Sequence, residues 1–324
     1  MRSQFAAIFA VLLAVGIARA ADKKKDDPNQ IGNRSVGKCL NFYSLDKEMA
    51  LGKQLAEEVQ RQAKVSDDPL ISEYVNRIGQ NLVRNSDAKV PFTFRVIQDE
   101  SPNAFALPGG FVFVHTGLIK IADEEDEFAG AVAHEIAHVA ARHMTCHATK
   151  AELAGLLSMP LGAVLGGGLG GYAARQGAAA GLESMLMKFS REDESEADFL
   201  GVQYMYAAGY DPNGAISIFE KLEAMQRKQP GAVSRVFSTH PMDATRISRT
   251  QEEIGRILPS KPEYVVSTSE YRDMRARLMA LEDGRKADDK DGRPRLRVAP
   301  GAGKSGDPDG QDDRPTIRRR ELME

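Results

Sequence analysis

Two histidines four positions apart, with a glutamate directly after the first, are the side chains in this chain best arranged to do chemistry. They are His134, Glu135 and His138, inside the run Phe128-Ala-Gly-Ala-Val-Ala-His-Glu-Ile-Ala-His-Val-Ala-Ala-Arg-His143. The run is apolar and alanine-rich, with no proline and no glycine after Gly130, so it predicts a helix. On a helix, positions i and i+4 share a face, and both imidazoles point the same way. Val132, Ile136 and Val139 fall on the opposite side of the wheel, which predicts a buried back and a front turned towards a cleft. Neutral imidazoles at this spacing suit Zn²⁺, which takes ring nitrogens at about 2.0–2.1 Å, with Glu135 left outside the coordination shell as a general base. Five residues alone recur by chance, so the reading requires a third ligand.

The stretch Ser190-Arg-Glu-Asp-Glu194-Ser-Glu-Ala-Asp198-Phe-Leu-Gly201 offers one. Glu194 and Asp198 are again one helical turn apart. A second helix packed across the first can present Glu194 to the metal, while Asp198 fixes the free ring nitrogen of a ligand histidine. With these residues in hand, the chain resembles the zinc metallopeptidase family of the CAAX prenyl proteases, HtpX and BepA, whose signature is H-E-x-x-H followed by E-x-x-A-D. The resemblance extends to Pro102-Asn-Ala-Phe-Ala-Leu-Pro-Gly-Gly110 upstream and Thr239-His240-Pro241 downstream, and covers roughly residues 41–258. It implies a gluzincin: an α+β, mainly helical, zincin-like domain with a small antiparallel sheet and an active-site helix. One Zn²⁺ per chain is expected on His134, His138 and Glu194. The remaining coordination position would take a water whose pKa the metal lowers to about 7, with Glu135 taking its proton and later delivering it to the leaving amine.

His240 has two expected roles. It can stabilise the tetrahedral oxyanion, or it can occupy the fourth zinc position and hold the resting enzyme inhibited; the second is preferred. A plain helix-capping histidine is the alternative to both. Arg246, one to two turns further on, is expected to support His240, and with Asp198 completes the shell around the ligands. Of the other three histidines, His115 ends a predicted strand and reads as a hydrogen-bonded structural residue. His143 and His147 flank Cys146 one turn apart. If the metal helix continues, His143 lies about 140° around from His138, at about 100° per residue, and cannot share the zinc.

The elements that must position these groups follow from periodicity. Residues 46–65 carry Leu51, Leu55 and Val59 at helical spacing, and Asp68-Pro69 opens a second helix with Ile71, Val75, Ile78 and Leu82. Phe92, Phe94 and Val96 alternate with polar neighbours, and residues 103–107 and 111–115 flank Pro108-Gly-Gly110, which predicts the small antiparallel sheet. Asn103, Ala104, Phe105 and Ala106 would form an edge strand for an extended substrate backbone, or simply a packing hairpin. Residues 156–186, with Pro160 and the cluster Gly166-Gly-Gly-Leu-Gly-Gly171, exclude one long rigid helix and read as a loop near the cleft: a lid, a surface for membranes or unfolded clients, or close helix packing. Gly209 is placed as a C-cap, Asp211-Pro212 opens a helix to about Gln226, and Ser267-Thr-Ser-Glu270 reads as a capping box for a last helix to about Leu281.

Composition and the chain ends bound the rest. With 42% hydrophobic residues, 27% charged and a formal net charge of −3, nothing points to nucleic acid. Met1-Arg-Ser-Gln, an apolar run from Phe5 to Ile17 and the small-x-small pattern Ala18-Arg-Ala20 read as a secretory signal peptide at 1–20, too short for a spanning helix of about 20 residues. A linker is expected at 21–40, solvated over its polar stretch Asp22-Lys-Lys-Lys-Asp-Asp-Pro28, the metallopeptidase domain at 41–283, and a disordered Gly/Pro/charge-rich tail at 284–324. Export makes Cys39 and Cys146 candidates for one disulfide, with two free thiols as the alternative. The expected function, as the family resemblance implies, is a periplasmic or secreted zinc endopeptidase in quality control of unfolded, misfolded or misassembled envelope proteins, with a peripheral membrane or outer-membrane assembly contact as a further expectation. The rival is a zinc-stabilised, chaperone-like binding protein whose protease site is largely closed.

Overall fold

The computed structural model describes residues 25–37, 39–157, 189–228, 240 and 244–291. The signal-peptide reading, the glycine-rich segment 158–186 and the tail beyond 291 lie outside these residues. The chain divides at Asp283; a first unit ends at Glu282, and of the second the residues to Asp291 are described, all helical.

Two amphipathic helices open the domain, α1 (Leu45–Gln62) and α2 (Pro69–Arg84). Asp68 caps α2 by accepting from the backbone N–H groups of Leu70 and Ile71, as the Asp-Pro pair predicts. Three strands follow, β1 (Thr93–Ile97), β2 (Ala104–Leu107) and β3 (Phe111–His115). The sheet order is β1-β3-β2. β2 and β3 form the expected antiparallel hairpin, but β1 joins β3 in parallel, so the sheet is mixed rather than antiparallel. The hairpin turn is legible because glycines supply its backbone: Gly110 has φ +93°, and a Cβ there would stand 2.2 Å from the Pro91 carbonyl oxygen. Nothing local announces the pairing of β1, which depends on the chain crossing from Ile97 back to the hairpin.

After the short α3 (Thr116–Ile121) comes the metal helix, α4 (Glu125–Ala140), with Glu124 and Glu127 forming a capping box at its start. α2, β2, α6 (Arg191–Ala208) and α7 (Asn213–Lys228) all pack on it. Its burial is therefore not confined to the Val132, Ile136, Val139 side; Phe128, Ala129, Ala133 and Ala137 are fully buried too. Alanines let neighbours in close. At Gly130 an added Cβ would stand 2.8 Å from Ala215 Cα, so the crossing of α4 and α7 needs a glycine there.

α4 does not continue to His143. It stops at Ala140, Arg142 takes a left-handed φ of 59°, and a separate helix, α5 (His143–Leu157), follows. Beyond α7 lie α8 (Ala244–Ile257) and α9 (Ser269–Asp291). Gly209 ends α6 with φ 92°. α7 ends two residues past its predicted limit at Gln226. Thr268, rather than Ser267, caps α9 by accepting from the Tyr271 N–H, and the helix runs to Asp291, through the first part of the expected tail. No helix of the described residues is long and apolar enough to cross a membrane.

The segment 25–37 is not a solvated linker. Arg34 is buried and ion-paired with buried Asp87 at 2.9 Å, Lys25 pairs with Glu196, and the Gly37 N–H donates to Glu196 at 3.1 Å. Arg34 is a charged residue buried with a partner, which composition cannot distinguish from one exposed to water.

Candidate metal centre

His134 and His138 project from one face of α4, and Glu194 and Asp198 from one face of α6, which lies across it. The two i, i+4 pairs meet. Among the described residues, His134, His138, Glu194 and His240 form a group that could hold a metal ion, their ligand atoms lying within 4.8 Å of one another. His138 Nε2 is 3.0 Å from His134 Nε2, and His240 Nδ1 is 3.3 Å from that same nitrogen. Glu194 oxygens lie 3.4 Å from His134 Nε2, 3.6 Å from His138 Nε2 and 2.9 Å from His240 Nδ1. Donors around a tetrahedral zinc with bonds of about 2.0–2.1 Å stand about 3.3 Å apart. The donor set therefore fits a zinc ion in both chemistry and spacing.

Electrostatics point the same way. Burial works against charge on His134, but Asp198 and Glu194 outweigh it and push its pKa up to about 10. Of the two, Glu194 faces the point where the ring nitrogens meet, and a divalent cation there would balance it with both rings neutral. Burial alone would raise the Glu194 carboxyl, yet His240 and His134 hold it well below the usual range. Asp198 is likewise held low against burial, by Arg246 first and then His134. Glu135 behaves differently. Burial raises its pKa above the ordinary value, and His240 and His134 only partly oppose this.

The supporting residues fall as follows. Asp198 Oδ1 lies 2.9 Å from His134 Nδ1, the outer nitrogen of that ring. Arg246, on α8, donates to both oxygens of Asp198 at 2.7 and 2.8 Å and reaches Glu194 Oε2 at 2.7 Å. It holds the two carboxylates of α6 in register and lines the same depression as His240. Glu135 Oε1 is 3.4 Å from His240 Nε2, and the backbone of Ala106 hydrogen-bonds the Glu135 carboxylate. β2 is an edge strand running past the site. Depressions open at both of its ends: one beside His134 and Glu135, walled by Leu118, Phe219 and Leu222, the other beside His138, walled by Leu107, Met144 and Phe189. His115 is placed away from the ligands, bonded to Ser101 Oγ at 2.9 Å. Cys39 and Cys146 are joined in a disulfide with Cα atoms 6.0 Å apart.

Three neighbours of the ligands carried no signal in the sequence. Phe189 stacks on His138 with ring centres 4.0 Å apart, Phe219 meets His134 edge-on at 6.0 Å, and His143 contacts His138. The aromatics stand at no diagnostic spacing from the ligands they touch. The wheel sets His143 apart from His138 only for an unbroken helix; the break brings the two rings together, and His143 stays outside the ligand group.

The chain matches Peptidase family M48 over residues 69–254, more than half of its length. It belongs to that family. Membership implies a metal at this site. The β-barrel assembly-enhancing proteases of Yersinia pestis and Escherichia coli are 30% and 29% identical to it over 74% and 76% of the chain, covering 49% and 50% of their own lengths. The mitochondrial metalloendopeptidase OMA1 of Schizosaccharomyces pombe is 33% identical over 66% of the chain and 63% of its own length. The chain thus spans about half the length of the first two relatives.

Proposed function

We propose that this M48 chain is a zinc-dependent endopeptidase with one zinc held by His134, His138 and Glu194, and by His240 at rest. The observation that carries the reading is the convergence of those ligand atoms within 4.8 Å, with Glu135 facing the same point from outside the set. When bound, zinc lowers the pKa of a coordinated water to about 7 and polarises the scissile carbonyl. Glu135 takes the proton of the attacking water and passes it to the leaving amine; its burial, which strengthens its hold on a proton, favours the first of these transfers. Asn103, Ala104, Phe105 and Ala106 bind an extended substrate backbone along the edge of β2. Asp198 fixes the ring of His134, and Arg246 keeps Asp198 ionised and aligns it with Glu194.

His240 acts as a blocking fourth ligand in this reading, which its place 2.9 Å from Glu194 Oε1 and 3.3 Å from His134 Nε2 supports. A chaperone-like binding protein with a closed protease site is the second reading, favoured by the same position. The two part on whether a bound client is cut.

The substrates we infer are unfolded or misassembled envelope proteins, with a contact to outer-membrane assembly. The support is the naming of relatives as β-barrel assembly-enhancing proteases. A periplasmic or secreted location, after removal of residues 1–20 near Ala20, agrees with the Cys39–Cys146 bridge, since disulfides persist in oxidising compartments. Chelation should abolish cleavage of an unfolded protein substrate, and one equivalent of zinc per chain should restore it. Undiminished cleavage by the metal-free chain would overturn the reading.

A further inference from the structure

His138 and His134 turn the same ring atom, Nε2, towards the other ligand atoms but are supported differently. Behind His134 stands a carboxylate. Behind His138 stands another imidazole: His143 Nδ1 lies 2.9 Å from His138 Nδ1, with both side chains buried.

Resting on the zinc reading above, we propose that His143 is the positioning residue of the ligand His138. His138 Nε2 faces the other ligand atoms, so a neutral ring that offers its lone pair there carries its hydrogen on Nδ1. That N–H has His143 Nδ1 in front of it, and His143 Nδ1 must accept. His143 then carries its own hydrogen on Nε2, which faces Glu196 Oε2 at 3.4 Å and Asp193 Oδ1 at 3.8 Å. Every donor in this relay meets an acceptor, and both tautomers are determined by the two carboxylates at its end.

The fold invests several contacts in that geometry. The left-handed Arg142 turns the chain so that His143 comes back onto His138. Its guanidinium donates to buried Glu48 at 2.8 Å and to the Tyr43 carbonyl, while Thr145 donates to the same glutamate. Cys146, one turn into α5, is bridged to Cys39. On the far side Lys25 and the Gly37 N–H hold Glu196, and Ser190 and His147 hold Asp193. A histidine needed only to fill space would not require a polar partner on each ring nitrogen.

The test compares His143→Leu, which keeps bulk but cannot accept, with His143→Gln, whose amide oxygen can accept from His138 and whose NH₂ can donate to Glu196. Zinc affinity is read by competition with a chromophoric chelator, and fold by the melting temperature of the chelator-stripped chains. His143→Leu should bind zinc about 10–100-fold more weakly than wild type, the usual loss for such a partner. His143→Gln should stay within a few-fold of wild type. Wild-type affinity in His143→Leu, or equal losses in both variants, would overturn the proposal while leaving the zinc site standing; a wild-type chain that takes up no zinc would overturn the zinc reading and this with it. Should His143→Leu fail to fold, ¹⁵N NMR of the zinc-loaded wild type decides. The relay expects His143 protonated on Nε2, and protonation on Nδ1 would contradict it.

Discussion

His240 faces two ways, and its two ring nitrogens have different neighbours. Nδ1 stands among the ligand atoms, and Nε2 lies 3.4 Å from Glu135 Oε1. In the proposed blocking role, His240 would cover both the water's position and the group that activates it. His240→Ala should therefore raise basal proteolysis of an unfolded substrate and weaken zinc affinity. Lower turnover with unchanged affinity would assign the side chain to oxyanion stabilisation instead. At this scale the sequence was most legible where helical spacing pairs residues: His134 with His138, Glu194 with Asp198. It was least legible where a neighbour arrives from elsewhere in the chain. Phe189 and Phe219 are examples, and the hold of Arg246 on both carboxylates of α6 depends on how α8 packs against that helix.

Among the elements, α4 carries the argument because it is walled by helices and by β2 at once, which holds its imidazoles in one geometry. Its far end is set by the Arg142 turn and the start of α5, and there the Cys39–Cys146 bridge ties in the segment leading to α1. The two cysteines are separated by 107 positions. Closing a loop of that length restricts the unfolded chain by about 4–5 kcal/mol in the chain-entropy model. Reduction, or Cys39→Ser with Cys146→Ser, should lower the urea midpoint accordingly; an unchanged midpoint, or two free thiols in the unfolded non-reduced chain, would exclude the bridge. Helix starts with an Asp-Pro pair and the αL stop at Gly209 were legible, because capping chemistry is local. The parallel pairing of β1 with β3 was not, because no turn joins those strands, and neither was the break after Ala140, since arginine carries no signature for positive φ.

For the molecule as a whole, the segment before α1 belongs to the packed structure. Arg34 lies between Asp87 and Gln203, and Asp87 also accepts from the Gly32 N–H and the Tyr204 hydroxyl. Removing one partner of a buried pair strands the other, so Arg34→Ala should cost about 3–5 kcal/mol in denaturant unfolding. Arg34→Ala with Asp87→Ala should recover part of that loss; an additive double mutant would deny the coupling. A scaffold anchored at this depth keeps the centre in place whether or not turnover occurs, so chemistry and fold can be separated by one substitution. The most direct test measures zinc content and cleavage of an unfolded protein by wild type and Glu135→Gln side by side. Loss of the general base should leave one zinc per chain and the melting temperature unchanged while slowing turnover by about 10²–10⁴-fold. Equal cleavage by the two proteins would contradict the assignment of Glu135 and, with it, the reading of this centre as a peptidase.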